Sequence, residues 1–157
     1  MRGPWVATRQ LAKAGYLDGG YMSKALAFVS TRSRLRKPRT FWSLDSHEIP
    51  ESPGVYLLFA RRRLLYPKGR SPVFYIGQAS NLRRRLKAHL TYARQAREGR
   101  RHTLYWPRYE WAAAFGTRYA LVLAGKGQTP RRLEGKILKD FSRKYRSFPL
   151  ANGQGSW

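Results

Sequence analysis

The chain has 157 residues, the length of one ordinary domain, and 42% of them are hydrophobic, which excludes a disordered chain and allows one modest core. Lysine and arginine number 32 against 8 aspartates and glutamates, and the net charge of +24 makes the phosphate backbone of nucleic acid the expected partner. Cysteine is absent, which excludes disulfides, thiolate nucleophiles and cysteine-zinc sites.

A membrane surface is the alternative partner for so basic a chain, and the sequence argues against it. The longest apolar runs, 54–60 and 119–124, are too short to span a bilayer. The first ten residues lack the apolar core of a secretory signal, and no basic helix carries a bulky apolar face. We therefore expect no membrane partner and a cytoplasmic protein, associated with the nucleoid if the source is bacterial.

Residues 1–46 are predicted to form a basic N-terminal extension, distinct from a domain over 47–157. Short helices are expected at 10–14 and 22–29. The basic run that follows contains the nucleic-acid-binding candidates Arg32, Arg34, Arg36, Lys37 and Arg39. It is either a solvated tail or an arm that lies on phosphates, and its density beside two aromatic residues favours the arm.

The first half of the domain over 47–157 is predicted to contain a hairpin and a helix. Apolar runs at 54–60 and 72–78, with a basic loop over 61–70 between them, indicate two antiparallel strands. Asn81 is a favourable N-cap for a helix with apolar residues at helical spacing, which should end by Gly99.

The second half is predicted to add two strands and a second helix. The strands are expected at 109–115 and 118–124. The helix should begin at Thr129 and Pro130, a cap followed by proline at the first helical position, and Pro149 should end it. The order of elements predicts an α+β fold, a short antiparallel sheet flanked by helices.

Basic residues and a histidine of the first helix fall on opposite flanks of its apolar face. At roughly 100° per residue, Arg85 and His89 share one flank, directed toward the edge of the core. Arg83 and Lys87 lie on the other flank and are candidates for phosphate contacts. Arg85 and His89 are either solvated side chains or functional groups that meet a second element.

Glu134 is the carboxylate best placed to hold a metal ion. It lies at the border of the apolar stripe of the last helix, whereas the other seven acidic residues of the chain lie in loops, at helix ends, in a predicted strand or away from the stripe. Without cysteine, and with three histidines that show no metal spacing, a hard cation held by oxygen is expected. The alternative is an ion pair with Arg131 or Arg132.

Two tyrosines stand at similar positions of the two predicted hairpin strands. Tyr56 and Tyr75 are each early in a strand, and Gly77 lies on the same face as Tyr75 because strand residues alternate. A glycine there lets a backbone or a phosphate approach closely. The alternative is that both tyrosines are aromatic residues of the core.

These elements in order resemble the GIY-YIG nuclease superfamily. The residues that carry the resemblance are Gly54-Val55-Tyr56, Tyr75-Ile76-Gly77, Asn81-Leu82, Arg85, Glu134, Pro149 and Asn152. The most specific stretch is Tyr-Ile-Gly-Gln-Ala-Ser-Asn-Leu over 75–82, and valine replaces isoleucine at Val55. The resemblance implies a GIY-YIG-like layered fold and hydrolysis of a phosphodiester to a 5′ phosphate and a 3′ hydroxyl.

The resemblance also implies a role for each matching residue. Glu134 would be the sole protein ligand of Mg²⁺ or Mn²⁺, and Arg85 would stabilise charge on the scissile phosphate. Tyr75 would position or deprotonate the attacking water. The remaining residues are Tyr56, which would assist at the same water or phosphate, His89, which would partner the tyrosine base, and Asn152, which would brace the site.

The predicted partner is double-stranded DNA, cleaved in restriction, homing or repair, and a palindromic target would imply a homodimer. The alternative is a non-catalytic nucleic-acid-binding protein on the same scaffold. Such a protein would bind RNA as a component of a ribonucleoprotein or ribosome.

Overall fold

The computed structural model describes residues 24–30, 34–100 and 106–152, and these form an α+β fold. Their four strands make one open antiparallel sheet in the order β1-β4-β2-β3. The strands are β1 (Arg39–Thr40), β2 (Gly54–Tyr66), β3 (Gly69–Ala79) and β4 (Gly116–Leu123). The helices are α1 (Leu82–Arg97), α2 (Trp106–Phe115) and α3 (Pro130–Tyr145). Short 3-10 turns lie at Ser46–Glu48 and Leu150–Asn152.

The β2–β3 hairpin is longer than the sequence predicts. A loop over 61–70 is wrong, because β2 continues to Tyr66 and β3 begins at Gly69. Leu64 and Tyr66 are buried, and the Tyr66 hydroxyl donates to the carbonyl of Val73 at 2.7 Å. Gly69 adopts a φ of +116°, which glycine tolerates and which closes the tight turn. The dense arginines at 61–63 conceal the alternation that resumes at Leu64.

The two predicted helices begin where the capping residues indicate. The Asn81 side chain accepts from the Arg84 N–H at 3.0 Å, and that of Thr129 accepts from the Arg132 N–H at 3.2 Å. α1 ends at Arg97, in agreement with the limit predicted at Gly99. α3 ends at Tyr145 rather than at Pro149, because Arg146 turns into the left-handed region at a φ of 59°.

A strand predicted over 109–115 is wrong, because α2 occupies Trp106–Phe115. The aromatic residues favoured a strand on propensity alone. Three consecutive alanines, 112–114, are the strongest helix formers, and a proline at 107 is compatible with a first helical turn. β4 then starts at Gly116, two residues before the predicted start.

Part of the N-terminal extension is packed into the core of the fold. Ala25, Leu26, Phe28 and Val29 are buried, and Phe41 is 1% exposed. Leu35 forms a bridge with Val122, and β1 pairs with β4. The described part of the extension is therefore not a detached arm. The helix predicted at 10–14 and the candidate Arg32 lie outside the described residues.

Helices cover the central strands, so β2 is buried along most of its length. Val55 to Ala60 are all at most 1% exposed, and the apolar stripe of α3 packs into the same core. Within the described ranges, no helix is both long and apolar enough to cross a membrane.

Candidate active site

Two phenols meet over a glycine near the open end of the β2–β3 hairpin. The rings of Tyr56 and Tyr75 lie 5.8 Å apart between centroids, and Tyr56 pairs with Gly77 across the strands. A Cβ atom on Gly77 would lie 2.6 Å from the Tyr56 hydroxyl oxygen and 2.8 Å from Cε1 of Tyr75. Glycine is therefore required at position 77 for the two phenols to come together.

Arg85 joins this pair from α1. It is half-buried, and its Nε donates to the Tyr56 hydroxyl oxygen at 3.4 Å. Burial raises the pKa of Tyr56 well above its usual value, with Tyr75 adding to the rise and Arg85 opposing it. Tyr56 is therefore a neutral phenol near pH 7, able to donate a hydrogen bond but unsuited to act as a base.

Arg108 holds the second phenol and is a residue that the sequence did not indicate. Its Nη1 donates to the Tyr75 hydroxyl oxygen at 2.8 Å, and its guanidinium lies 5.6 Å from the centre of that ring. Arg108 belongs to α2, which the sequence predicted as a strand starting at Tyr109. The alanine run after it was the signal that would have placed Arg108 on a helix packed against α1.

His89 lies behind the two tyrosines in a box of aromatic rings. It is 1% exposed, and its ring centroid lies 5.6–6.0 Å from those of Phe41, Tyr56 and Tyr75 and 4.7 Å from that of Tyr109. Neither ring nitrogen has a hydrogen-bond partner. A second element meets His89 at this flank of α1, as predicted, because Tyr109 of α2 covers it, and the alternative of a solvated side chain is wrong for this residue. Burial, followed by Arg85 and Arg108, lowers the pKa of His89 to about 3.

Glu134 reaches the same end of the sheet from α3. It is half-buried, at the border of the apolar stripe as its helical position predicts. The Gln78 N–H donates to its carboxylate. Burial raises the pKa of Glu134, while Arg131 and this hydrogen bond oppose the rise. Because Gln78 follows Gly77, the carboxylate lies near the strand segment over which the two phenols meet.

Asn152 fastens the chain after α3 to β3. Its Oδ1 accepts from the Ile76 N–H at 2.9 Å, and its Nδ2 donates to the Ile76 carbonyl at 2.7 Å. The side chain is 1% exposed. Both backbone groups of the residue between Tyr75 and Gly77 are thus fixed by one amide.

A cavity of about 530 Å³ opens between the end of β3 and the start of α1. Arg84, Arg85, Gln78 and Asn81 are among the residues that line it. The first N–H groups of α1 are already used, since Leu82 donates to Ser52 and Arg84 to the Asn81 side chain. An anion in this cavity would therefore be bound by side chains rather than by the helix N-terminus.

The other basic candidates fall into two groups. The first group lies on α1. Arg83 is bound within the protein, since it donates to the Ile49 carbonyl at 2.8 Å and lies 3.5 Å from Glu51, whereas Lys87 is exposed.

The second group lies in the segment before β2. A cavity of about 510 Å³ on the β1–β4 side of the sheet is lined by Arg36, Lys37 and Arg39. Arg39 pairs with Glu48 at 2.7 Å. Arg34 donates to Gln128 at 3.3 Å.

The donor set around Glu134 fits a single hard cation. No group of three or more histidine, aspartate or glutamate side chains with metal-site geometry occurs in the part of the chain that the structure describes. One carboxylate is sufficient for Mg²⁺, which keeps several waters and takes phosphate oxygens from a substrate. A half-buried carboxylate whose protonation is favoured by burial would regain its charge beside such an ion.

Comparison of the chain with protein-family models, curated proteins and solved structures finds no match.

Proposed function

We propose that this chain is a metal-dependent endonuclease of the GIY-YIG type that hydrolyses phosphodiester bonds of double-stranded DNA, in restriction, homing or repair. The observation that carries the proposal is the convergence of Tyr56, Tyr75 and Arg85, with Glu134 on the adjoining Gln78. Core packing alone requires neither two arginines against two phenols nor a half-buried carboxylate at the neighbouring strand residue Gln78. The net charge of +24 supplies the attraction for the phosphate backbone.

The proposed reaction is displacement at phosphorus by water. Arg85 stabilises the negative charge that develops on the phosphate oxygens. Tyr75 positions or deprotonates the water, and Arg108 holds the Tyr75 hydroxyl in place. Tyr56 donates a hydrogen bond to the water or the phosphate, since burial keeps it protonated. The bond between phosphorus and the 3′ oxygen breaks, the 3′ oxygen takes up a proton to become a hydroxyl, and the phosphate remains on the 5′ oxygen.

Glu134 is the residue that would hold the Mg²⁺ or Mn²⁺ ion. The ion supplies electrostatic stabilisation of the phosphate charge. His89 takes a structural part in this proposal, because its nitrogens are enclosed by aromatic rings and its pKa near 3 keeps it uncharged. Asn152 holds the strand that bears Tyr75.

The test is Glu134→Gln, which keeps the side-chain volume and removes the charge. We expect a folded protein that binds duplex DNA at least as tightly as the wild type and does not nick a plasmid at millimolar Mg²⁺. The matched control is Glu51→Gln, an exposed carboxylate 3.5 Å from Arg83. Substantial nicking by the Glu134 variant would refute the metal assignment, and equal loss in both variants would refute the specific role of Glu134.

A non-catalytic nucleic-acid-binding protein, part of a ribonucleoprotein or ribosome, is the second candidate. It is favoured by the positive charge that extends to Arg36 and Lys37 on the β1–β4 side of the sheet, lining a different cavity from Arg85. The wild-type plasmid assay separates the two functions. Absence of Mg²⁺-dependent nicking together with tight RNA binding would favour this candidate.

A further inference from the structure

The outer half of the β2–β3 hairpin is a two-stranded ribbon that extends past the rest of the sheet. Pairing between β2 and β4 ends at Ala60 and Gly116, whereas pairing between β2 and β3 continues to Tyr66 and Gly69. The register shifts between these points: Phe59 pairs with Val73 and Leu64 with Ser71, so β2 has more residues than β3 in this interval. The extra residues of β2 are the arginines at 61–63.

One side of this ribbon is anchored to the end of α3. The Tyr66 ring lies 5.1 Å from that of Phe141 and 5.7 Å from that of Tyr145. The Lys68 N–H donates to the Tyr145 carbonyl at 3.2 Å. The ribbon is therefore preformed, and a ligand that binds it does not have to order it.

The other side exposes an apolar residue among positive charges. Leu65 is 73% exposed and pairs with Arg70, which is also exposed. The basic residues of the ribbon are Arg61, Arg62, Arg63, Lys68 and Arg70. No aspartate or glutamate occurs between Glu51 and Glu98, so no carboxylate of the hairpin offsets these charges.

We infer that this ribbon is a second duplex-binding element, which enters a DNA groove and brings Leu65 against base edges. The inference deepens the proposed function and rests on its duplex-binding part. A two-stranded β-ribbon fits the major groove, where apolar side chains contact the thymine methyl group. Lys68 and Arg70, both exposed, contact the flanking phosphates. An exposed leucine has no such use in a purely electrostatic contact with phosphates.

The hairpin fixes the distance between this contact and the site of cleavage. Arg70 lies seven positions before Gly77, which is beneath the two phenols, a distance of about 23 Å at roughly 3.3 Å per residue. Along a straight duplex at about 3.4 Å per base pair, the ribbon contact lies at most about seven base pairs from the cut bond. The ribbon therefore reads the flank of the cleavage site on one side.

The experiment measures the affinity of the full chain for a duplex of 30 base pairs in EDTA, so that no cleavage is needed. Leu65→Gln with Arg70→Gln is expected to weaken duplex binding by 10-fold or more, and Arg70→Gln alone by less. The charge control is Arg97→Gln, whose guanidinium lies 3.5 Å from the Trp42 ring at the far end of α1. Circular dichroism verifies the fold, which Leu65 does not support because it is exposed.

Three results would overturn the ribbon assignment. The first is an unchanged affinity of the double variant for duplex DNA. The second is an equal loss of affinity in Arg97→Gln. The third is that the double variant loses affinity equally for duplex DNA and for single-stranded RNA. The last would indicate a contact with phosphates alone. If the wild type binds the duplex but never nicks it with Mg²⁺, the proposed nuclease function fails while the ribbon result stands.

Discussion

At the level of single residues, His89 shows how the aromatic box determines charge. The nitrogens of His89 have no hydrogen-bond partner, and Arg85 and Arg108 are close. The ring therefore does not take up a second proton and stays neutral in the folded state. Its folded pKa of about 3 lies below the unfolded value near 6.5. Its contribution to stability is therefore complete above pH 6.5 and is lost as the pH falls toward 3.

This exclusion predicts that the chain loses stability in mild acid through His89. Between pH 7 and pH 5 the loss should be about 2 kcal/mol, measured by urea unfolding. His89→Phe keeps an aromatic ring and removes the titrating group, so its loss over the same interval should be smaller by that amount. His47 is exposed, and His47→Gln serves as the control. An unchanged acid dependence in His89→Phe would contradict a buried neutral imidazole.

Arg85 and its neighbour Arg84 offer a matched pair for testing catalysis. Both line the cavity at the start of α1, but Arg84 is exposed whereas Arg85 contacts Tyr56. Arg85→Ala should lower the cleavage rate by roughly 10²–10³-fold, about 3–4 kcal/mol, with most duplex affinity retained. Arg84→Ala should change the rate little. Equal modest effects of both changes on single-turnover cleavage would remove the reason for assigning Arg85 to catalysis.

At the level of elements, the site depends on how the 3-10 turn at Leu150–Asn152 is fixed to β3. The Asn152 amide satisfies both backbone groups of Ile76 inside the protein. Asn152→Ala leaves a buried donor and a buried acceptor without partners, which should cost about 2–4 kcal/mol of unfolding free energy. Leu150→Ala, at an exposed position of the same turn, is the control. A loss below about 1 kcal/mol, measured by chemical denaturation, would show that water or other groups replace the amide.

Local signals account for the elements that the sequence predicted correctly. Asn81 and Thr129 cap helices because their side chains accept hydrogen bonds from N–H groups three residues on, a relation that sequence spacing encodes. The two predicted hairpin strands are also confirmed. Gly54 and Tyr56 lie two residues apart on one face of β2, and Tyr56 pairs with Gly77 of β3 on that face.

The elements that it predicted wrongly depend on distant contacts. The aromatic residues of α2 favour a strand and its three alanines favour a helix, and packing against α1 adds to the helical preference. The strand prediction concealed Arg108 and the burial of His89, since both depend on α2. Tyr66 likewise extends β2 through its contacts with α3, which is far away in sequence.

At the level of the whole molecule, the basic N-terminal segment is joined to the sheet rather than free. The Arg36 N–H donates to the Leu121 carbonyl at 2.8 Å, and the Phe41 N–H donates to the Thr117 carbonyl at 2.9 Å. Deleting residues 1–46 would remove Phe41 and the buried residues before it from the core. Such a deletion tests folding, so the contribution of this segment to nucleic-acid binding has to be tested by exchanging charges.

The expected readout is the dependence of duplex affinity on salt. Binding that releases counterions gives a negative slope of log affinity against log salt, about 0.9 for each phosphate contacted. Arg36→Gln with Lys37→Gln should reduce the magnitude of that slope by about 2, since both side chains are exposed on the held segment. A flat slope in the wild type, measured by fluorescence anisotropy, would exclude the phosphate backbone as the partner.

The matched control for this pair removes the same two charges elsewhere. Arg97 lies over the Trp42 ring and Arg100 pairs with Glu98, so both are already held within the protein at the end of α1 farthest from Arg85. Arg97→Gln with Arg100→Gln should therefore leave the slope nearly unchanged. If the slopes of the two double variants fall equally, net charge alone governs binding, and the segment over 34–39 has no specific place on the duplex. A fall confined to Arg36 and Lys37 would show that this segment contacts phosphates directly.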